Sequence, residues 1–158
     1  MAKRIFLEAR SGSIYYTLLG LSTQLKDYRL SFLLNKLPGF RFTRFDDLMV
    51  TMPDVKEPVS FSLYTCYDEE NFNSYSLLSN RSSDHFLVPS VRQTDYLMMI
   101  EGPFKKQQKD DLLKALRTVP NILLATEINT SSIKQFESLI SDLELHHMKS
   151  KKETMQIT

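Results

Sequence analysis

Asp95 and Tyr96 stand at the mouth of the most continuously apolar run in the chain, Leu97-Met98-Met99-Ile100, with Arg92 three residues before the aspartate. A carboxylate at the start of a buried strand could accept a proton or anchor a ligand, with the Arg92 guanidinium as its charge partner. The same residues have a structural reading. Asp95 would bond backbone N–H groups where the strand begins, and Tyr96 would open the core with its hydroxyl satisfied nearby. A lone aspartate without a positioned partner is not a catalytic apparatus, so no catalytic residue is assigned.

A second candidate group is Lys26, Asp27, Arg29, Asn35 and Lys36. Asp27 beside Lys26 and Arg29 could bind an anion or a partner surface, although the polar face of any amphipathic helix looks the same. Asp46-Asp47 supply few of the six or more oxygens that Ca²⁺ prefers, and read as a turn. His146 and His147 are neighbours, about 100° apart on a helix, and so miss the i, i+4 spacing that grips zinc. His85 falls in a loop, and Cys66 in a strand reads as an inert packing residue. The four glycines, at 12, 20, 39 and 102, are too scattered for a phosphate-cradling loop. No metal and no cofactor is expected.

Arg92, Asp95 and Tyr96 must be positioned by a strand over residues 96–101. Pro89 biases Val88 to extended backbone and cannot donate a ladder hydrogen bond, so the strand begins after it. Its unbroken apolar run fits burial on both faces. Gly102-Pro103 ends the strand, and Pro103 at a first helical position opens a helix carrying Phe104, Gln108, Leu112, Leu113, Ala115, Leu116 and Val119. Pro120-Asn121 stops it before an apolar strand from Ile122 to Ile128. A last helix, with Asn129 or Thr130 as cap candidates, puts Ile133, Phe136, Ile140, Leu143 and His147 on one face. Residues 149–158 are polar and basic and are expected to be a disordered tail.

Upstream, Lys3 to Ala9 reads as a short strand and Ser11-Gly12-Ser13 as a turn, before a second strand from Ile14 to Leu21. Ser22 or Thr23 would cap a helix reaching about Lys36, with Leu25, Tyr28, Phe32, Leu33 and Leu37 as its apolar stripe. Pro38-Gly39 stops that helix, and Phe40 and Phe42 then alternate with Arg41 and Thr43 as in a strand. Leu48 to Met52 is a weaker strand. Val59 to Leu63 alternates with serines, and Ser74 to Ser79 returns after an acidic turn, which reads as a hairpin with one wet face. The segment Asn80 to His85 reads as a loop.

The segments Tyr16 to Phe45 and Tyr96 to Ile128 repeat one order, strand, helix, proline, strand, with 22 and 24 residues from tyrosine to proline. Two βαβ halves predict an α+β fold of ferredoxin-like, split βαβ type, with residues 14–21 and 96–101 in the middle of an antiparallel sheet. The hairpin is then an insertion and the last helix an addition, within a single domain over residues 1–148. An open α/β sheet is the alternative.

The chain of 158 residues is long enough to bury roughly 70% of its unfolded surface. With 42% hydrophobic and 25% charged residues it has the composition of a globular domain. A net charge of +1 gives no bias towards nucleic acid or anionic lipid. Cys66 is the only cysteine, so no intrachain disulfide can form. The N-terminus lacks the apolar core of a signal peptide, and no apolar run approaches the roughly 20 residues of a membrane span. A cytoplasmic protein without membrane attachment is expected.

The stretch Val88-Pro89-Ser90-Val91-Arg92-Gln93-Thr94-Asp95-Tyr96 resembles the signature of a family of small bacterial proteins named for the pattern IPExxxVDY. Pro89, Asp95 and Tyr96 match, Val88 stands for Ile, Ser90 replaces Glu and Thr94 replaces Val. Leu25 to Lys36, the Arg44 to Leu48 turn and the Phe61 to Tyr64 strand are similar as well, over about residues 4 to 140. The resemblance implies a single-domain cytosolic protein of uncharacterised function.

These features predict a non-enzymatic interaction or regulatory module, in which the hairpin or the last helix meets a protein partner or a second copy. The helix stripe motivates this, because it must be buried against something. The alternative is a small-ligand-binding domain or an enzyme with a site near Arg92, Asp95, Tyr96 and the first helix, which requires a pocket beside Tyr96. Nucleic-acid binding comes third. The aromatic-basic stretch Phe40 to Phe45 resembles a base-stacking strand but sits in the wrong strand for one.

Overall fold

A computed structural model describes residues 16–157, with side chains described for residues 16–149. The strand expected at Lys3 to Ala9, the turn after it and the first residues of the strand expected from Ile14 lie outside the described residues. Among these, strands β1 (Tyr16–Thr23), β2 (Thr43–Val50), β3 (Val59–Asp68), β4 (Asn73–Ser79), β7 (Tyr96–Glu101) and β8 (Ile122–Ile128) form one sheet. A two-stranded sheet pairs β5 (Arg81–Ser82) with β6 (His85–Phe86). The helices are α1 (Asp27–Leu34), α2 (Lys106–Arg117) and α3 (Phe136–Ile157). No described helix is long and apolar enough to cross a membrane.

The sheet order is β2-β3-β4-β7-β1-β8, and every neighbouring pair is antiparallel. An open sheet of parallel strands therefore does not form. Strand β7 lies between β1 and β4, covered by helices on both faces. Tyr96, Met98 and Ile100 pack into the core shared with α1 and α2, and Leu97 and Met99 into the core shared with α3. This is the two-sided burial that its unbroken apolar run predicts. The hairpin β3–β4 separates β7 from β2, so three strands stand between β1 and β2.

The apolar stripe expected on the last helix is buried inside the molecule. Ile133, Phe136, Ile140 and Leu143 join Leu18, Phe61, Leu63 and Leu97 in one core. The argument that this stripe needs an external partner is thereby overturned. Asn129 caps a short 3₁₀ turn at Thr130–Ser132, accepting from the Ser131 N–H at 3.1 Å, and α3 begins only at Phe136. As described, α3 continues to Ile157, through the segment expected to be a tail.

Several local expectations are corrected by tertiary partners. Thr23 ends β1 instead of capping a helix: its N–H donates to Asp95 Oδ2 at 2.8 Å, and its hydroxyl donates to the Asn121 carbonyl at 2.6 Å. α1 starts four residues later and turns Leu30, Leu33 and Leu34 inward, leaving Tyr28 and Phe32 exposed. The buried face also includes Ser31, whose hydroxyl donates to the Tyr28 carbonyl at 3.0 Å. Phe40 and Phe42 do point into the core, but ahead of β2, where the Asn35 amide clamps both backbone groups of Phe42.

Asp46 and Asp47 form no turn. They lie within β2, where the pairing steps from Phe45↔Leu63 to Leu48↔Phe61, so two residues oppose Ser62 alone. One extra residue in one strand is a β-bulge. The expected loop at Asn80 to His85 is a tight hairpin turning through Ser83, which takes the left-handed conformation at φ 52°. Asn80 is fully buried beside it. Its Nδ2 donates to the Thr94, Val91 and Val88 carbonyls at 2.9, 3.1 and 3.4 Å, and its Oδ1 accepts the Val88 N–H at 2.7 Å. This one amide folds the whole Val88 to Asp95 loop against the sheet. α2 begins at Lys106, three residues after Pro103, once Gly102 at φ 110° has turned the chain out of β7.

Candidate functional site

The residues around Asp95 are occupied with architecture. Asp95 accepts the Thr23 N–H, its own N–H donates to the Leu21 carbonyl at 2.9 Å, and its carbonyl accepts from Asn80 at 2.8 Å. Its guanidinium neighbour is Arg81, at 3.4 Å, and not Arg92. Arg92 is exposed and rests on the Phe86 ring, which it shares with Arg81. Tyr96 is buried in the core and donates to the Leu25 carbonyl at 2.7 Å. Burial, with Asp27 and Asp95 nearby, pushes its hydroxyl up to about 12. The Asp95 carboxylate thus holds the Thr23 N–H and the Arg81 guanidinium, and Tyr96 is buried in the core with its hydroxyl bonded.

The second predicted group is not a cluster either. Asp27 accepts from the Tyr64 hydroxyl at 3.4 Å, whereas Arg29 lies over Phe32 on the outer side of α1. Cys66 is buried and accepts the Arg41 N–H at 3.3 Å, and burial pushes its thiol up. The Phe40 and Phe42 rings pack on Tyr75 in the core, at 5.1 and 6.4 Å, and offer no surface for stacking bases. Among the described residues no three His, Cys, Asp or Glu side chains converge as a metal site would require.

A different part of the molecule opens into a cleft of about 820 Å³, between the stretch of α3 from Ile140 to Met148 and the sheet face below it. Its floor follows from register. Thr43 pairs with Thr65, Thr65 with Ser76 and Ser76 with Met99, which makes one cross-strand row. Tyr67 pairs with Ser74, Ser74 with Glu101 and Glu101 with Tyr16, which makes the next. Side chains in such rows lie about 4.5–5.5 Å apart. Along β3 this face runs Phe61, Leu63, Thr65, Tyr67, changing from apolar to polar halfway. The apolar half carries α3 and the polar half floors the cleft.

The wall is α3. Leu143 and Met148 supply apolar surface, and Glu144 and His147 supply polar groups. Tyr16 donates to Glu144 Oε2 at 3.1 Å and meets the Phe136 ring edge-on, joining floor to wall. His146 and His147 both lie against the Phe45 ring, at 5.5 and 4.9 Å. The His146 ring also hydrogen-bonds the Asp46 carbonyl at 2.8 Å, so the bulge in β2 is what anchors this end of the helix. Burial, then the neighbouring His146, lowers the His147 pKa, which keeps that imidazole neutral near pH 7.

Hydroxyls that both donate and accept therefore line the floor, opposite a wall on which Leu143 and Met148 are apolar and Glu144 and His147 polar. The sequence contained part of the signal. Ser74 and Ser76 come from the hairpin expected to have one wet face, but Thr65 shares the face of Phe61 and Leu63, opposite Ser60 and Ser62, and the hairpin is covered on both sides, so these hydroxyls become a cleft floor. A second cavity, of about 750 Å³, lies at the other end of α3, beside Met49 to Pro53 and Pro89.

No family model matches the chain, and no curated protein and no solved structure matches it either.

Proposed function

We propose that this chain is a non-enzymatic interaction or regulatory module that binds a small molecule in the cleft beneath α3. The observation that carries the reading is the pair of hydroxyl-bearing rows under a helix. A sheet face selected only to hold a helix would stay apolar across its width, as it does at Phe61, Leu63 and Leu97. Its volume falls within the roughly 300–1,000 Å³ range of small-molecule sites, and convergent polar groups beside apolar ones are their usual lining. The ligand class is a neutral molecule with hydroxyl or amide groups on one side and a hydrocarbon surface on the other.

The sheet order supports a ferredoxin-like core, β8-β1-β7 with the β7-α2-β8 half intact, elaborated by the β3–β4 hairpin in the position beside β7. Kinship with the IPExxxVDY proteins is proposed on Pro89, Asp95 and Tyr96, whose loop and strand start are architectural here.

The test is a screen of neutral polyhydroxylated and amide-bearing amphiphiles, read by amide chemical shifts. A binder that moves Thr65, Ser74 and Ser76, and that Ser76→Phe excludes while the melting transition is kept, supports the reading. Binders that map only around Asp95, or no saturable binding at all, refute it.

A further inference from the structure

Four aromatic side chains stand exposed among the described residues, and they fall into two pairs. Tyr28 and Phe32, 64% and 53% exposed, lie one turn apart on the outer side of α1. Tyr67 and Phe72, 55% and 71% exposed, flank the turn between β3 and β4. The charges around the two pairs are opposite. Arg29 and Lys36 lie over the Phe32 ring, at 5.5 and 5.0 Å from its centre. The turn between Tyr67 and Phe72 carries the exposed carboxylates of Glu69 and Glu70.

The acidic turn is held rigid. Asp68 accepts the N–H groups of Glu70 and Asn71 at 3.0 and 3.3 Å, and the Asn71 amide at 2.8 Å, leaving Glu69 and Glu70 as the outward charges. Asn73 is buried at its base and donates to the Glu101 and Pro103 carbonyls at 3.3 and 3.0 Å. Phe72 takes a left-handed backbone at φ 57°, uncommon for a bulky residue, with its ring in solvent. A preorganised loop of this kind loses little entropy on binding.

We propose that this chain associates with further copies of itself head to tail, the Glu69-Glu70-Phe72 knob of one copy docking on the Arg29-Phe32-Lys36 patch of the next. Charge complementarity selects the occupant. The knob brings two carboxylates and a ring, and the patch brings two cations flanking a ring, so cations meet both carboxylate and aromatic face. Knob and patch are different surfaces, so the contact is heterologous, and a dimer keeps one free knob and one free patch through which it can grow. The contact goes beyond the cleft reading and does not rest on it.

Sedimentation velocity of the full chain over a concentration series tests this. At low salt the weight-average sedimentation coefficient rises with concentration, and at high salt the rise is lost, because exposed charges are screened. Arg29→Ser with Phe32→Ser removes the patch, and Glu70→Ser with Phe72→Ser removes the knob. Each double variant keeps the wild-type melting curve and sediments as a monomer. Mixed together, the two restore one intact contact and give a 1:1 dimer that grows no further. A wild-type chain that stays monomeric at every concentration overturns the proposal. So does a folded double variant that still associates, or a mixture that does not pair.

Discussion

Replacing Asn80 by alanine removes a side chain that ties the Val88 to Asp95 loop to the sheet through four hydrogen bonds at once. The Val88 and Val91 carbonyls keep other partners, since they also accept from the Val91 and Thr94 N–H groups. The Val88 N–H and the Thr94 carbonyl do not, and both belong to buried residues. A buried polar group left unsatisfied costs about 1–3 kcal/mol, so two of them predict a loss of about 2–6 kcal/mol. Against a total stability of about 5–15 kcal/mol this is a large fraction. For a chain of this size it lowers Tm by roughly 4–24 °C. Urea unfolding should show a lower midpoint with an unchanged slope, since the surface exposed on unfolding stays the same. Native-state hydrogen exchange should accelerate at Val88 before the rest of the sheet. A loss below about 1 kcal/mol would refute the reasoning, because water could then replace the amide freely at a site taken as dry.

Two further outcomes follow from the geometry. A Cβ built on Gly20 meets Ile128 Cδ1 and Thr94 Oγ1 at 2.8 Å each, so Gly20→Ala forces neighbours of β1 to move and should cost about 1–3 kcal/mol in thermal unfolding. His147 has a folded pKa below its ordinary 6.5, so the folded state binds fewer protons than the unfolded one as pH falls through that value. The stability this supplies is complete above pH 6.5 and is lost as pH falls towards the folded pKa. His147→Gln should flatten that limb of a stability–pH profile, and an unchanged slope would place the acid sensitivity elsewhere.

Local pattern was legible wherever one reading of the periodicity dominated. Strand β8 was bounded at Ile122 and Ile128, and the two-sided burial of β7 was visible in Leu97 to Ile100, because no polar residue competes there. The stripe of α3 was equally unambiguous. Where two patterns overlapped, local reasoning failed in part. Of the stripe expected on α1, Leu33 is buried and Leu25 and Leu37 pack against the core, whereas Tyr28 and Phe32 are exposed and Leu30 and Leu34 take the buried places. At Asp46-Asp47 local reasoning took adjacent acids for a turn, because a bulge shows itself only against the partner strand. The candidate site moved for the same reason. The Asp95 carboxylate looks unpartnered in the sequence because its partners, Thr23 and Arg81, lie 72 and 14 residues away in the chain.

The sequence by itself determined the segments and most of their buried faces, since periodicity and chain breakers act within a few residues. It also determined that the chain holds a single cysteine and almost no net charge. Tertiary structure alone decided that the β3–β4 hairpin enters the sheet between β2 and β7, and that α3 covers a face half apolar and half hydroxylic. The cleft is a product of register: Thr43, Thr65, Ser76 and Met99 come from four strands and meet only once those strands are paired. Pairing is settled by which faces can be covered together, a balance struck over the whole core, and no short window of residues contains it.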